Sequence, residues 1–237
     1  MSAENNTPNG TAIHTVDLWR TYRAGTHQEV HALQGVNLKV KTGSYLALKG
    51  RSGSGKTTLL NLIGGLDKPT KGSVTVFGIA LKELKEKQLT QFYRENVAFI
   101  FQAFGLSPIY SAMENVEIVM QISGKSRKER RKRAEYCLER VGLEKWKNHR
   151  IYELSGGQQQ RIAIARALAN EPRLILADEP TGKLDTATAK EIFLLFREIV
   201  EDEGVTVLMA AHDPLVDDYA DRVLQLQDGQ IIAPEEG

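Results

Sequence analysis

The sequence predicts an α/β domain with a helical insertion, and three observations lead to this fold class. Short apolar runs of strand type alternate with helical segments near both ends of the chain. A glycine-rich loop, Gly50–Thr57, lies between one such strand and a helix. From about residue 111 to residue 168 the chain is mostly helical in pattern, with no convincing strand. We therefore expect a sheet interrupted in sequence by a helical subdomain, and we find no internal repeat.

The first strands and the last turn have the clearest local signals. Apolar alternation at Ile13–Leu18 and Val36–Val40 predicts two strands of an antiparallel sheet. Asp228-Gly229 predicts a hairpin turn near the end of the chain. Short apolar runs predict further strands at Tyr45–Leu48, Val74–Phe77, Val97–Phe101, Leu174–Ala177, Val205–Ala210 and Val223–Leu226. Helices are predicted at Thr57–Ile63, Gln159–Leu168 and Thr186–Val200.

Composition limits the classes to which the chain could belong. The 237 residues suit one large domain, and the 31 Lys and Arg residues balance the 30 Asp and Glu residues, so the charge does not suggest a nucleic-acid partner. Cys137 is the only cysteine, which excludes an intrachain disulfide and fits a small apolar residue on a helix. No apolar run approaches the ~20 residues of a membrane span. Residues 1–11 are polar and predict a disordered tail, whereas residues 12–237 predict a single domain.

The glycine-rich loop predicts a nucleoside triphosphate site. It fits the pattern G-x-x-x-x-G-K-[ST] in the strand-to-helix position that this pattern requires. Its glycines let backbone N–H groups approach phosphate oxygens, and the following helix adds the positive end of its dipole. We expect Lys56 to place its charge between the terminal phosphates and the Thr57 hydroxyl to join a Mg²⁺ shell. The expected nucleotide-binding residues are Gly50, Ser52, Gly53, Ser54, Gly55, Lys56, Thr57 and Thr58.

Two carboxylates follow a predicted buried strand. Asp178 and Glu179 come directly after Leu174–Ala177. Ligands of open α/β sheets collect at the carboxyl ends of the strands. Asp178 is expected to support Mg²⁺, and Glu179 to polarise the attacking water. Taken alone, the pair is equally compatible with a helix cap, but a phosphate loop upstream favours the catalytic interpretation.

With these motifs in this order, the chain resembles the nucleotide-binding domains of ABC (ATP-binding cassette) ATPases over about residues 13–232. The resemblance implies a P-loop NTPase fold with a RecA-like core, an antiparallel β subdomain and a helical subdomain inserted at about residues 103–169. It also implies ATP and Mg²⁺ as cofactors. Five further elements match the family pattern: Tyr22, Gln102, the segment Ser155-Gly156-Gly157-Gln158, Asp185 and His212.

The resemblance implies a role for each of the single residues. Tyr22 stands where the family has an aromatic that stacks on adenine, with Trp19 as the nearby competitor. Gln102 corresponds to the glutamine that reaches toward Mg²⁺ and water and senses the membrane subunit. Asp185 matches the aspartate of the D-loop. His212 matches the switch histidine that contacts the γ-phosphate, so Lys56, Gln102, Glu179 and His212 form the expected catalytic set.

The segment Ser155–Gln158 resembles the family signature and has a physical interpretation of its own. Ser155 and Gln158 fit a capping box, S-x-x-Q, before the predicted helix. The amides of Gly156 and Gly157 and the Ser155 hydroxyl form a second anion site. In the family this surface covers the ATP that the other subunit holds. The blander interpretation is that the segment only caps its own helix.

The resemblance implies an ATP-driven machine attached to a membrane. Two copies, or this chain and a paralogous subunit, would sandwich two ATP molecules head to tail and drive transmembrane permease subunits from the cytoplasmic side. The segments Gly64–Gly72 and Ala177–Gly182 look like the branch for lipoprotein release, macrolide-type export, antimicrobial-peptide resistance and cell-division signalling. Export, lipid extraction and mechanotransmission all fit this branch. The rival classes are a soluble ABC ATPase of repair or cofactor assembly and a scaffold that binds ATP without hydrolysing it.

Some positions depart from the family pattern. Lys183 stands where this branch usually has Asn in the D-loop, Lys49 replaces an apolar residue before Gly50, and Ile151-Tyr152 stands where Pro is common. Ala210-Ala211 precedes His212 where Thr is common. No departure removes a catalytic group, although Lys183 could alter communication between the two sites.

The run from Lys125 to Arg133 is strongly basic. It has no interleaved aromatics for stacking on bases. We expect a solvated helix face, with contact to anionic lipid as the better functional alternative and RNA as the weaker one.

Overall fold

The computed structural model describes residues 10–23, 25 and 28–232. Within these residues, ten strands form two sheets and six α-helices pack around them. The strands are β1 (Thr11–Tyr22), β2 (Val30–Lys41), β3 (Tyr45–Lys49), β4 (Lys71–Val76), β5 (Ile79–Ala80), β6 (Val97–Ile100), β7 (Leu174–Asp178), β8 (Thr206–Ala211), β9 (Arg222–Gln227) and β10 (Gln230–Ile232). The helices are α1 (Lys56–Ile63), α2 (Glu86–Asn96), α3 (Ala112–Ile122), α4 (Arg127–Arg140), α5 (Gly156–Leu168) and α6 (Thr186–Glu203).

The first sheet is antiparallel, with the strand order β2-β1-β4-β5. Ile13 pairs with Val40 and Leu18 with Val36, which confirms the two strands predicted from apolar alternation. β1 begins at Thr11, and the Gly10 carbonyl accepts a hydrogen bond from the Thr42 amide. The tail predicted for residues 1–11 is therefore wrong at Thr11, which joins this sheet, and at Gly10, which is bonded to the turn after β2. Residues 1–9 of that tail and residues 233–237 of the predicted domain lie outside the described part of the chain.

The second sheet brings the motif residues to one edge. Its order is β10-β9-β3-β8-β7-β6, with β9, β3, β8, β7 and β6 parallel and β10 antiparallel to β9. Parallel strands end on the same side of a sheet, so the residues that follow β3, β7 and β8 become neighbours. The predicted turn at Asp228-Gly229 joins β9 to β10, with both φ angles positive as a type I′ turn requires.

The second sheet separates two hydrophobic cores. Along β3, Tyr45 and Ala47 face a core shared with α5 and α6, while Leu46 and Leu48 face a core shared with α1 and the antiparallel sheet. All four residues are buried, as expected for a strand covered on both faces. The edge that carries the site is thus held rigidly by packing on both sides.

The helical insertion and the helices of the core differ in three places from the sequence-based expectations. The α5 helix begins at Gly156, three residues before the predicted start, because Ser155 caps it there. The α6 helix continues to Glu203 and ends at Gly204, whose φ of 65° lies in the left-handed region that favours glycine. The α2 helix was not predicted; it is mostly polar, and only Phe92 among its residues is buried, with Leu89 and Tyr93 partly buried beside it.

The basic run lies before and along the first turns of α4. Most of its side chains are exposed; Arg131 pairs with Glu135 at 3.8 Å and Arg133 with Glu171 at 3.6 Å. Cys137, one turn after Arg133 on the same helix, is buried among apolar residues as predicted. Contact with lipid therefore stays an untested alternative to a solvated face. No helix in the described segments combines the length and apolarity needed to cross a bilayer.

Candidate nucleotide site

The phosphate loop turns sharply from β3 into α1. Gly55 caps α1 with a φ of 107°, and a Cβ at this position would overlap the Ala32 carbonyl oxygen, so glycine is required. No side chain caps α1, which leaves its first amides to a ligand. The Lys56 side chain is 5% exposed and its ammonium donates to the carbonyl oxygens of Gly50 (2.8 Å) and Arg51 (3.2 Å). The loop is thus shaped in advance for an anion.

A cavity of about 200 Å³ opens at this loop. Six residues of the loop and the first turn of α1, together with Glu179, line one side, and Val30, His31 and Ala32 of β2 line the other. No sequence motif indicates these β2 residues, because only the pairing of β1 with β2 brings them here. Two larger grooves of about 700 and 710 Å³ lie beside α2, but neither contains a residue of the loop or of the acidic pair.

Asp178 is placed to hold a cation next to the loop. Its Oδ2 accepts a hydrogen bond from the Thr57 hydroxyl at 2.8 Å, while its Oδ1 is buried and has no hydrogen-bond partner among the described residues. Burial raises the pKa of the Asp178 carboxyl, and the neighbouring Glu179 raises it further, against the opposing effects of Thr57 and Lys56. Carboxylate and hydroxyl oxygens are the ligands that Mg²⁺ prefers. The unpartnered Oδ1 therefore fits a Mg²⁺ ligand, and the residues present suit this ion.

Glu179 is the point where the predicted catalytic side chains converge. Its Oε1 lies 3.4 Å from the Lys56 ammonium, and its Oε2 lies 3.3 Å from Gln102 Nε2 and 3.5 Å from His212 Nδ1. Its φ of 48° is unusual for a residue with a side chain, and its amide donates to the Ala210 carbonyl at 2.9 Å. Strained backbone of this kind is concentrated at functional sites, where it orients a side chain and the surrounding packing keeps that orientation.

Tyr22 lies at the end of β1, opposite the cavity-lining residue Val30. Its hydroxyl donates to Asp67 Oδ2 at 2.8 Å, and the Arg20 guanidinium covers its ring at 4.4 Å. The competitor Trp19 instead donates its indole N–H to Asp17 at 2.7 Å. The strand register favours Tyr22 over Trp19 beside the cavity, and stacking on adenine stays a prediction.

The signature segment forms the N-terminus of α5. Ser155 Oγ accepts from the Gln158 amide at 3.3 Å, and the Ser155 amide donates to Gln158 Oε1 at 2.9 Å, which confirms the predicted capping box. Gly156 and Gly157 form the first turn of α5. None of these four residues is among the described residues that line the loop cavity. The signature segment therefore does not contact the cavity at the phosphate loop of its own chain.

Asp185 lies beside the signature segment. It caps α6 by accepting from the Thr188 amide (3.0 Å) and hydroxyl (2.7 Å), and these bonds hold the pKa of its carboxyl below the usual value. A Cβ on Gly157 would come within 2.5 Å of the Thr188 methyl group, so the starts of α5 and α6 are tightly packed. Asp185 and the signature therefore form one surface, apart from the loop cavity.

The two lysines that depart from the family pattern, Lys49 and Lys183, have different surroundings. Lys49, at the end of β3, bonds to both carboxylate oxygens of Asp217 at 2.8 and 3.0 Å. Asp217 lies in the 3-10 helix Pro214–Asp218, shortly after His212. Lys183 is exposed.

Comparison with known proteins identifies this arrangement of motifs. The family model described as "ABC transporter" matches residues 33–182. The chain is 46% identical over 216 residues to the ABC transporter ATP-binding protein MJ0796 of Methanocaldococcus jannaschii, covering 90% of this chain and 92% of that protein. The dimeric structure of MJ0796 as an ABC transporter cassette superimposes with a TM-score of 0.84 at 44% identity, covering 93% of this chain and 97% of that one. MJ0796 has also been seen in a dimeric post-hydrolysis state bound to ADP and Pi.

Two further relatives belong to transport and release systems. The lipoprotein-releasing system ATP-binding protein LolD 1 of Rhodopseudomonas palustris is 43% identical and covers 90% of this chain and 94% of its own length. The macrolide export ATP-binding/permease protein MacB of Rhodopirellula baltica is 44% identical over 92% of this chain, but only 32% of that longer protein is matched.

Proposed function

The chain belongs to the ABC transporter family, and on that premise we propose that two such cassettes bind and hydrolyse ATP between them to drive membrane-embedded permease subunits. The observation that carries the proposal is the convergence of Lys56, Gln102 and His212 on the Glu179 carboxylate. A phosphoryl-transfer site of this kind works mainly by positioning and by charge stabilisation. All four side chains lie at the strand edge where those tasks are performed.

Each residue of the loop cavity has a task in this proposal. The amides of the loop and the Lys56 ammonium hold the β- and γ-phosphates, and Tyr22 stacks on the adenine. Mg²⁺, held by Thr57, Asp178 and Gln102, would neutralise phosphate charge. Glu179 accepts a proton from the attacking water, and His212 contacts the γ-phosphate. Lys56 leaves its loop carbonyls and Glu179 when phosphate oxygens offer it a stronger charge-assisted bond.

The second cassette supplies what one chain lacks. The loop cavity, at about 200 Å³, is smaller than the ~300–1,000 Å³ of a site that encloses a small molecule. One chain would therefore cover the phosphates but leave the rest of the nucleotide open. In our proposal, Ser155, Gly156, Gly157, Gln158 and Asp185 of one copy close over the ATP held by the other. The two copies are identical or paralogous. Lys183 lies in the D-loop, close to Asp185, which would contact the other copy.

Two of the relatives support a membrane partner and a membrane location for this chain. We assign the chain to the cytoplasmic face of the cell membrane as a peripheral subunit, since LolD serves lipoprotein release and MacB joins an ATP-binding part to a permease in one protein. Export, lipid or lipoprotein extraction and mechanotransmission are the activities that this branch supports. The surface around Gln102 is the proposed route by which closure of the cassettes reaches the permease.

The test is ATP hydrolysis by the complex recovered through a tag on this chain, with Glu179→Gln as the variant. We expect turnover to fall at least roughly a hundredfold, the lower end of what a positioned general base contributes, while an ATP-bound dimer accumulates. Glu198→Gln removes the same charge from an exposed position on α6 and serves as the matched control. Unchanged turnover in Glu179→Gln would remove Glu179 from its role. Recovery of an active ATPase without a permease would favour the soluble class.

A further inference from the structure

We infer that Arg20 and Asp67 are positioning residues for the nucleobase, because they hold the ring of Tyr22 in a single orientation. The inference rests on the proposed function, in which Tyr22 stacks on adenine. It adds two residues to which no sequence motif assigns a role at the nucleotide. It also specifies which face of the ring the base uses.

The three side chains form a closed set of contacts. Tyr22 donates its hydroxyl proton to Asp67 Oδ2 at 2.8 Å, and Arg20 Nη2 lies 2.8 Å from Asp67 Oδ1. The Arg20 guanidinium lies 4.4 Å from the centre of the Tyr22 ring, within the range of a cation–π contact. Arg20 and Asp67 are each only 23% exposed, so both contacts are partly shielded from water. Asp67 therefore bridges the hydroxyl of the ring and the cation that covers the ring.

This arrangement leaves one face of the ring for a base. Arg20 and Tyr22 are two residues apart on β1, so both side chains project from the same side of the strand. Since the guanidinium covers one face of Tyr22, a base can stack only on the opposite face. A tyrosine at the end of a strand would otherwise sample several rotamers, and fixing them in advance reduces the entropy that binding must overcome.

The set is also tied to the phosphate loop. Asp67 lies in the segment after α1, and the amides of Leu66 and Asp67 both donate to the Asn61 carbonyl, at 2.9 and 3.3 Å. Asn61 belongs to α1, the helix whose N-terminus forms the phosphate site. The Lys68 amide also donates to Asp67 Oδ1 at 2.7 Å. One helix therefore positions the phosphates at its beginning and the base platform just beyond its end.

A pair of ligands with and without the base separates this role from general support of the fold. Binding of Mg²⁺-ATP and of inorganic tripolyphosphate is measured by calorimetry in the Glu179→Gln background, in which turnover is expected to be at least roughly a hundredfold slower. We expect Arg20→Gln and Asp67→Asn to weaken ATP binding roughly two- to tenfold, the effect of freeing one or two ordered side chains. Binding of tripolyphosphate, which lacks a base, is expected to stay unchanged in both. Lys68→Gln removes a charge from an exposed neighbour and should affect neither ligand.

The outcomes are distinguishable. Equal loss of ATP and tripolyphosphate binding would overturn the inference, because the two residues would then support the loop as a whole. Tighter ATP binding in Arg20→Gln would also overturn it, since Arg20 would then be obstructing the base. Tyr22→Ala tests the premise separately. If Tyr22→Ala leaves ATP binding intact, the stacking role itself fails; if it weakens ATP binding while the Arg20 and Asp67 variants do not, only this inference fails.

Discussion

Two helices of this chain have glycine at an N-terminus that suits an anion, Gly55 as the cap of α1 and Gly156-Gly157 as the first residues of α5, but the two ends are capped differently. The α1 helix begins after Gly55 with no side-chain cap, next to the buried ammonium of Lys56. The α5 helix begins after Ser155, and its capping box satisfies the amides of Ser155 and Gln158 but leaves those of Gly156 and Gly157. The first end has no side-chain cap and lies beside the loop cavity, whereas the second is capped by its own chain and offers only two glycine amides outside that cavity.

The difference also appears in the buried polar atoms. Ser54 Oγ and Asp178 Oδ1, at the loop, are buried without hydrogen-bond partners, whereas Ser155 is exposed and its hydroxyl accepts a hydrogen bond from the Gln158 amide. Unsatisfied buried groups cost stability. A site that binds its own ligand carries this cost until the ligand arrives, and a surface offered to another subunit has no reason to carry it. This contrast supports different roles for the two ends and can be tested by substitution.

The largest effect is expected at the open end. Lys56→Met removes a charge-assisted contact worth about 1.5–3 kcal/mol, so ATP affinity of the isolated chain should fall roughly ten- to hundredfold. Ser155→Ala, at the capped end, should cost about 1 kcal/mol of stability and leave that affinity unchanged. Calorimetry at protein concentrations too low for the chain to dimerise measures the ATP affinity of both variants. If Ser155→Ala weakened ATP binding by the isolated chain, the two ends would not be distinct in the way proposed.

An intermediate effect is expected where α5 packs on α6. Gly157→Ala would place a Cβ 2.5 Å from the Thr188 methyl group, and overpacking of this kind costs about 1–3 kcal/mol. Thr188→Ser removes that methyl group but keeps the hydroxyl that donates to Asp185. Thermal unfolding should therefore show a lower Tm for Gly157→Ala, little change for Thr188→Ser and partial recovery in the double variant. Without recovery, the close contact would not be the cause of the loss.

Motif order and apolar alternation are enough to predict the architecture and the convergent site. Strand ends of a parallel sheet meet at one edge, so the sequence alone places Gly50, Glu179 and His212 together. The capping box is equally predictable, because it is a local pattern within Ser155–Gln158. Local periodicity indicates which face of a helix or strand is buried. The order of the strands along the chain and the capping box depend mainly on such local patterns.

The features that could not be predicted depend on contacts between distant segments. The α2 helix is mostly polar and packs on the core only through Leu89, Phe92 and Tyr93, so its apolar stripe is short. Val30 reaches the cavity through strand pairing with Tyr22, and Asp67 meets Arg20 although the two residues are far apart in the chain. Side-chain type does not specify such partners, because tertiary packing decides them.

The smallest effect concerns the two aspartates, one from each half of the comparison. Burial raises the pKa of Asp178, so the folded state holds its proton more tightly than the unfolded chain does. Its charge therefore costs stability above that raised pKa, and the cost disappears as the pH falls through it. Asp178→Asn should raise the Tm of the nucleotide-free protein at pH 8, by roughly 2–4 °C for each kcal/mol recovered, with a smaller gain in acid. It should also reduce the further stabilisation by Mg²⁺-ATP, because a ligand stabilises only the state that binds it.

Asp185 is the matched control, because its hydrogen bonds with Thr188 lower the pKa of its carboxyl. The stabilisation by this charged cap is present above the pKa of the unfolded chain and is lost as the pH falls through the lower, folded value. Asp185→Ala should therefore lower the Tm at pH 8 and have less effect in acid, opposite in sign to Asp178→Asn. Thermal unfolding of both variants between pH 4 and pH 8 measures the pair. A lower Tm for Asp178→Asn at pH 8 would mean that its charge stabilises the empty site, and that the open end carries no cost for its ligand to relieve.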